Sequence, residues 1–135
     1  MMFLLDTNAF SDLMRKRAKI EARLSALEPA DSVVACTIVQ GEILYGIHKL
    51  PVGHRRDELL AQATPLFEAL LCEAVPESAA KHYAEIKITR ERLGLVLDEN
   101  DLWIAATALA LGAVLVTRDR DFQRIDGLPV ENWDE

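Results

Sequence analysis

Nowhere in the 135-residue chain does an apolar run approach the roughly 18 residues that a membrane-spanning helix needs. The N-terminus has neither a basic region nor a small-residue cleavage site, so no signal peptide is expected. Cysteine is scarce. Cys36 and Cys72 both sit inside apolar runs and are expected as buried thiols, not as a disulfide or a metal pair. Together these absences set the expectation of a cytoplasmic protein with no membrane contact. An excess of positive charge is missing too. A net charge of −7 argues against a protein that coats nucleic acid with a basic surface. It leaves room for an enzyme that meets phosphates through bound cations, which the formal count omits. Repeats and low-complexity linkers are also lacking. With 50% of residues hydrophobic and 27% charged, residues 1–135 read as a single domain with a sizeable core.

What is present alternates. Phe3-Leu4-Leu5 is too short for a helix and suits a buried strand. Asp6-Thr7-Asn8 stops it with turn and cap formers, and Phe10, Leu13 and Met14 follow at helical spacing. Ile20, Leu24 and Leu27 continue a helical stripe until Pro29 to Ser32 break it. Val33 to Cys36 is a second strand, and Thr37 starts a helix with Val39, Ile43 and Ile47 on one face. The stripe from Leu59 to Leu71 contains Pro65, which predicts a kink or two abutting helices with Thr64 as a cap. Leu71 to Val75 suits a third strand. Pro76-Glu77-Ser78 opens a helix that Gly94 closes. Leu102 to Leu111 is apolar nearly all round, as a core helix would be, and Ala113 to Val116 is a fourth strand. Pro129-Val130 suits a short edge strand. Strands alternating with helices imply an α/β fold with right-handed crossovers and a mostly parallel sheet.

That topology gathers acids. Asp6 and Asp119 directly follow strands one and four, at the sheet's carboxyl edge, where ligands bind in open α/β sheets. Crossover helices begin at the same edge, which brings Glu42 and Asp101 there as well. Crowded carboxylates repel unless cations neutralise them, and an all-oxygen set suits Mg²⁺ or Mn²⁺. Such ions equip a site for phosphodiester hydrolysis. Taken singly, Asp6 and Asp101 also suit helix caps, Glu42 a solvated helix face, and Asp119 a turn. His48, His54 and His82 fall outside these stretches and read as surface or helix residues.

Leu5-Asp6-Thr7-Asn8, Gly41 to Ile47, Asn100 to Ala106 and Val116 to Phe122, in this order, resemble a PIN-domain ribonuclease. The chain closely resembles the VapC toxins of bacterial toxin–antitoxin pairs, down to Leu128 to Trp133. The resemblance implies a three-layer α/β/α PIN fold and a metal-dependent endoribonuclease, with Asp6, Glu42, Asp101 and Asp119 as metal-binding and catalytic acids. Asp121 is a rival or helper to Asp119. Asn8 and Thr117 match polar pocket residues. Thr37 is a candidate for the role that Ser or Thr plays in many relatives at the position held here by Val39. Arg15, with Lys16, Arg17 and Lys19 beside it, and Arg118 and Arg120 are candidate RNA contacts; a solvated face is the alternative for the first group. Mg²⁺, with Mn²⁺ as substitute, an RNA substrate, a small VapB-type antitoxin and a homodimer are what the family implies. A PIN nuclease of RNA processing without a toxin role, and a non-catalytic Mg²⁺-binding α/β module, stay open on the sequence. A haloacid-dehalogenase-type enzyme would want a second Asp where Asn8 stands.

Overall fold

A computed structural model describes residues 1–135. The chain runs β1 (Met2–Leu5), α1 (Thr7–Met14), α2 (Ala18–Ser25), β2 (Ser32–Cys36), α3 (Thr37–His48), α4 (His54–Ala69), β3 (Leu71–Glu73), α5 (Ala79–Arg92), α6 (Glu99–Leu111), β4 (Val114–Val116), a 3-10 turn (Arg120–Arg124) and β5 (Val130–Glu131). The strands form one sheet in the order β3-β2-β1-β4-β5. Every pairing is parallel, so the sheet goes beyond the expected mostly parallel pattern. Leu4 pairs with Val34 on one side and Leu115 on the other, which makes β1 the central strand.

Strand order fixes the layers. From β1 the chain steps outward to β2 and β3, then returns across the sheet to β4. Right-handed crossovers in opposite directions put α1–α4 on one face and α5–α6 on the other. Helices α1, α3 and α4 pack together, as do α5 and α6, and α3 also touches α6. The reversal of direction falls between β1 and β4, and the crevice at such a switch point is where α/β sheets bind ligands.

The core is continuous. Leu4, Leu5, Phe10, Val39, Ile104, Leu115 and Phe122 are all sealed from solvent. Phe10 stacks on Phe67 at 5.1 Å between ring centres, joining α1 to α4. Tyr83 stacks on Trp103 at 4.1 Å, and Lys87 pairs with Glu99. These two contacts show α5 and α6 to be an antiparallel hairpin. Gly112 ends α6 at φ 65°, a left-handed conformation that a side chain would disfavour.

Three local expectations change. Of the two alternatives at Pro65, two abutting helices are excluded, because α4 passes through it as a single element. Proline removes one N–H, but Ala61, whose carbonyl loses its donor, is exposed, so that carbonyl is open to solvent. Thr64 does not cap; its hydroxyl donates to the Leu60 carbonyl at 2.8 Å. Strand β3 stops at Glu73, short of Val75, because its only partner β2 ends at Cys36, which is paired with Glu73. Cys36 is buried as expected, but Cys72 is exposed, since β3 is an edge strand; both are free thiols.

Candidate active site

Asp6 sits where β1 leaves the sheet. Its amide donates to the Val116 carbonyl at 3.0 Å, tying the ends of β1 and β4 together. Its carboxylate caps α1, with Oδ1 accepting from the Ala9 amide at 2.8 Å. Only 3% of Asp6 is exposed. Thr117, the first residue past β4, stands beside that carboxylate, and its Oγ1 accepts from the Asp119 amide at 3.0 Å. Asp119 in turn caps the 3-10 turn, accepting from the Asp121 amide at 2.9 Å. Glu42 comes from the second turn of α3, where the Thr7 hydroxyl donates to its Oε1 at 2.6 Å. Asp101 lies in the first turn of α6, whose N-cap is Asp98.

These acids feel one another. Burial, followed by the charges of Glu42, Asp98, Asp6 and Asp119, pushes the Asp101 carboxyl up to about 7. Burial also raises Asp6, with Asp119 and Asp12 adding to the rise and the hydrogen bonds from Thr117 and Ala9 opposing it. Asp6, Glu42, Asp101 and Asp119 thus share one electrostatic neighbourhood. None of them takes part in an ion pair, whereas Asp12, Asp31, Glu58, Glu99, Glu131 and Asp134 all do. No three His, Cys, Asp or Glu side chains close on a single ion-sized position. The donor set is entirely hard oxygen and its charge is uncompensated, which fits Mg²⁺ or Mn²⁺ and not zinc.

This crowding has a measurable sign. The folded chain binds the Asp101 proton more tightly than the unfolded chain, whose carboxyl titrates at its ordinary value of 3.8. Stability in EDTA is therefore lost as pH rises from the unfolded value through about 7, and returns on acidification. Asp101 is half-buried, so solvent screens part of the effect, and the gain between pH 8 and pH 6 is expected to be about 0.5–1 kcal/mol. Asp101→Asn should flatten the profile. Equal slopes for the parent and the variant in urea titrations would contradict this coupling.

The secondary candidates separate. Thr117 stands at the site, and the Asp119 charge bears on both Asp6 and Asp101. Asp121 is exposed, and its backbone carbonyl accepts from Arg90. Asn8 is exposed and makes no side-chain hydrogen bond within the chain. Thr37 lines a shallow depression of about 440 Å³ with Glu42, Asp98 and Asn100. Arg15 lines a neighbouring groove of about 260 Å³ that also holds Thr7, Glu42 and Arg55. Arg118 is already engaged: its Nε lies 3.3 Å from the buried carboxylate of Asp12, which Arg17 also approaches at 3.6 Å. Arg120 is exposed and unpaired. Thr7 is absent from the residues that the sequence singles out, although a hydroxyl directly after a strand-end acid is visible in Asp6-Thr7. Asp98 and the Asp12 ion pairs are absent from them too. The largest concavity, about 520 Å³, lies away from the acids between α5, Leu109 and residues 125–127.

Comparison with known proteins identifies the family and the fold. The family model described as PIN domain matches residues 3–128. The chain is 36% identical over 136 residues to Ribonuclease VapC1 of Haemophilus influenzae, covering 98% of both. Among solved structures, VapBC2 from Rickettsia felis, bound to a DNA fragment from its promoter, superposes with a TM-score of 0.90 at 27% identity, covering 99% of this chain and 100% of that one. VapBC-1 from nontypeable Haemophilus influenzae superposes with a TM-score of 0.88 at 32% identity, covering 100% of both.

Proposed function

The chain belongs to the PIN-domain family, in its VapC group, and from that premise we propose that it is a metal-dependent endoribonuclease acting as the toxin of a toxin–antitoxin pair. The observation that carries the reading is the set of four acids from the end of β1, α3, α6 and the turn after β4, three of which bear on Asp101, and none of which has a cationic partner. Asp6, Glu42, Asp101 and Asp119 would hold Mg²⁺, or Mn²⁺ in its place. Held there, such ions would supply an activated water for attack on a phosphodiester and neutralise charge developing on the phosphate.

The protein's own groups prepare the site. Thr7 fixes the Glu42 carboxylate through its 2.6 Å hydrogen bond. Thr117 stands beside Asp6 while its oxygen anchors the backbone of Asp119, so one hydroxyl bears on two acids. The Asp101 carboxyl, which burial and the neighbouring acids push up to about 7, would be held as the carboxylate by a bound cation. No side-chain nucleophile is needed. Cys36 is buried with its thiol pKa raised mainly by burial, and no histidine is among the groups that perturb the acids. Arg15 and Arg55, on the groove that adjoins Glu42, are placed to hold RNA phosphates.

The similar solved structures are VapBC complexes. The partner of this chain is correspondingly a small VapB-type antitoxin, and the toxin is a homodimer within the complex. Unpaired acids invite a basic side chain from such a partner, which would gain charge-assisted hydrogen bonds while blocking RNA.

The test is direct. Partner-free protein should cleave RNA internally with Mg²⁺ or Mn²⁺, fall silent in EDTA, and recover when the ion returns. The product of a neighbouring antitoxin gene should inhibit it. Undiminished cleavage in EDTA, or no cleavage in total RNA at millimolar Mg²⁺, would refute the reading.

A further inference from the structure

Arg90 is a charge in an unusual place. It lies near the end of α5 and is only 4% exposed. No carboxylate lies within ion-pair distance of it. Its two terminal nitrogens donate instead to backbone carbonyls: Nη1 to Asp121 at 3.2 Å and Nη2 to Val96 at 3.3 Å. Its Nε is buried without any partner.

Burying a cation without a counter-ion is costly, and an apolar side chain of similar volume is often neutral or better at such a site. Stability therefore gives little reason for an arginine there. The two carbonyls supply another. Val96 belongs to the link between α5 and α6, two residues before Asp98, whose carboxylate accepts from the Asn100 amide at 3.1 Å to start the helix that bears Asp101. Asp121 belongs to the 3-10 turn that Asp119 caps. One planar guanidinium thus spans the two segments that deliver the late acids of the site. Neither segment belongs to a strand, so the sheet's own hydrogen bonds do not hold them in place.

We propose that Arg90 is a positioning residue that fixes the placement of Asp101 relative to Asp119 by clamping the Val96 and Asp121 carbonyls. It touches neither substrate nor metal. The metal arm of the test rests on the reading of the four acids as a cation site. The clamp itself also has a metal-free readout.

Arg90→Met keeps much of the volume and removes both donors. Arg90→Lys keeps the charge but loses the planar fork. Val96 and Asp121 are exposed, so water can reach them, and both variants should melt cooperatively. In EDTA, amide exchange should rise in Arg90→Met at Asn100, Leu102, Asp121 and Phe122, and stay at the parent level in β1. Mn²⁺ binding, followed by electron paramagnetic resonance of the free ion, should weaken by about tenfold or more in Arg90→Met, the range seen when groups supporting metal ligands are removed. Arg90→Lys should recover part of the loss. With RNA, kcat should fall and KM should stay near that of the parent. Unchanged exchange at those four amides in a folded Arg90→Met variant would overturn the clamp. So would Mn²⁺ affinity within twofold of a parent that binds the ion. If Arg90→Met fails to fold, Arg90→Lys decides by the same exchange readout. A parent that binds no Mn²⁺ overturns the metal reading instead, and the exchange result still decides the clamp.

Discussion

Asp101→Asn is expected to reduce RNA cleavage by about a thousandfold or more while leaving the metal-free fold as stable as the parent, or more so. A carboxylate that supports cation charge at the scissile phosphate is worth several kcal/mol in the transition state. The amide has nearly the same shape, so packing around α6 changes little. It also removes a group whose charge is opposed by burial and by Glu42, Asp98, Asp6 and Asp119. Activity and metal-free stability should therefore move in opposite directions, which ordinary destabilisation cannot produce. Single-turnover cleavage of an end-labelled RNA, beside urea melts in EDTA at pH 8, measures both. A variant that keeps more than a tenth of the parent rate would remove Asp101 from the catalytic set.

Metal should also be visible in stability alone. An ion that binds only the folded chain contributes about 2.7 kcal/mol at a hundred times its dissociation constant. For a domain of this length that corresponds to a rise in melting temperature of roughly 8 °C. Asp6→Asn is the informative control. Asparagine caps a helix as well as aspartate does, so the hydrogen bond from Ala9 has a replacement acceptor and α1 keeps its start. The loss should then appear in the response to Mg²⁺ and hardly at all in the metal-free melt. The parent's response should also be smaller at pH 6 than at pH 8, because below about 7 the ion must displace the Asp101 proton. A melting curve unmoved by millimolar Mg²⁺ at pH 8 would exclude a cation site of ordinary affinity.

Asp6 and Asp119 are legible in the sequence because short apolar runs mark strands, and the first polar residues after a parallel strand lie on a known edge. Glu42 and Asp101 follow from helix direction. Contacts between distant segments are not legible. Thr7 can be placed beside Asp6, but its hydrogen bond to Glu42 depends on how α1 meets α3. Arg118 stands next to Asp119 in the sequence and suggests an RNA contact, yet its side chain is held by Asp12 from α1. Arg90 does leave a trace: Ala79, Ile86 and Arg90 share a buried stripe of α5, but an arginine near a helix end ordinarily signals a solvated face. Pro65 leaves two alternatives open in the sequence because its cost depends on whether the carbonyl it strands can reach water.

The order of strands in space differs from the order in which a ribosome makes them. β1 emerges first, gains β2 on one flank early, and must wait for residues 114–116 before its other flank is filled. The four acids divide in the same way, with Asp6 and Glu42 in the first third of the chain and Asp101 and Asp119 in the last. No N-terminal fragment shorter than 119 residues holds the full set. On the proposed four-acid site, such a nuclease is expected to stay silent through most of its own translation, with the messenger that encodes it still threaded through the ribosome.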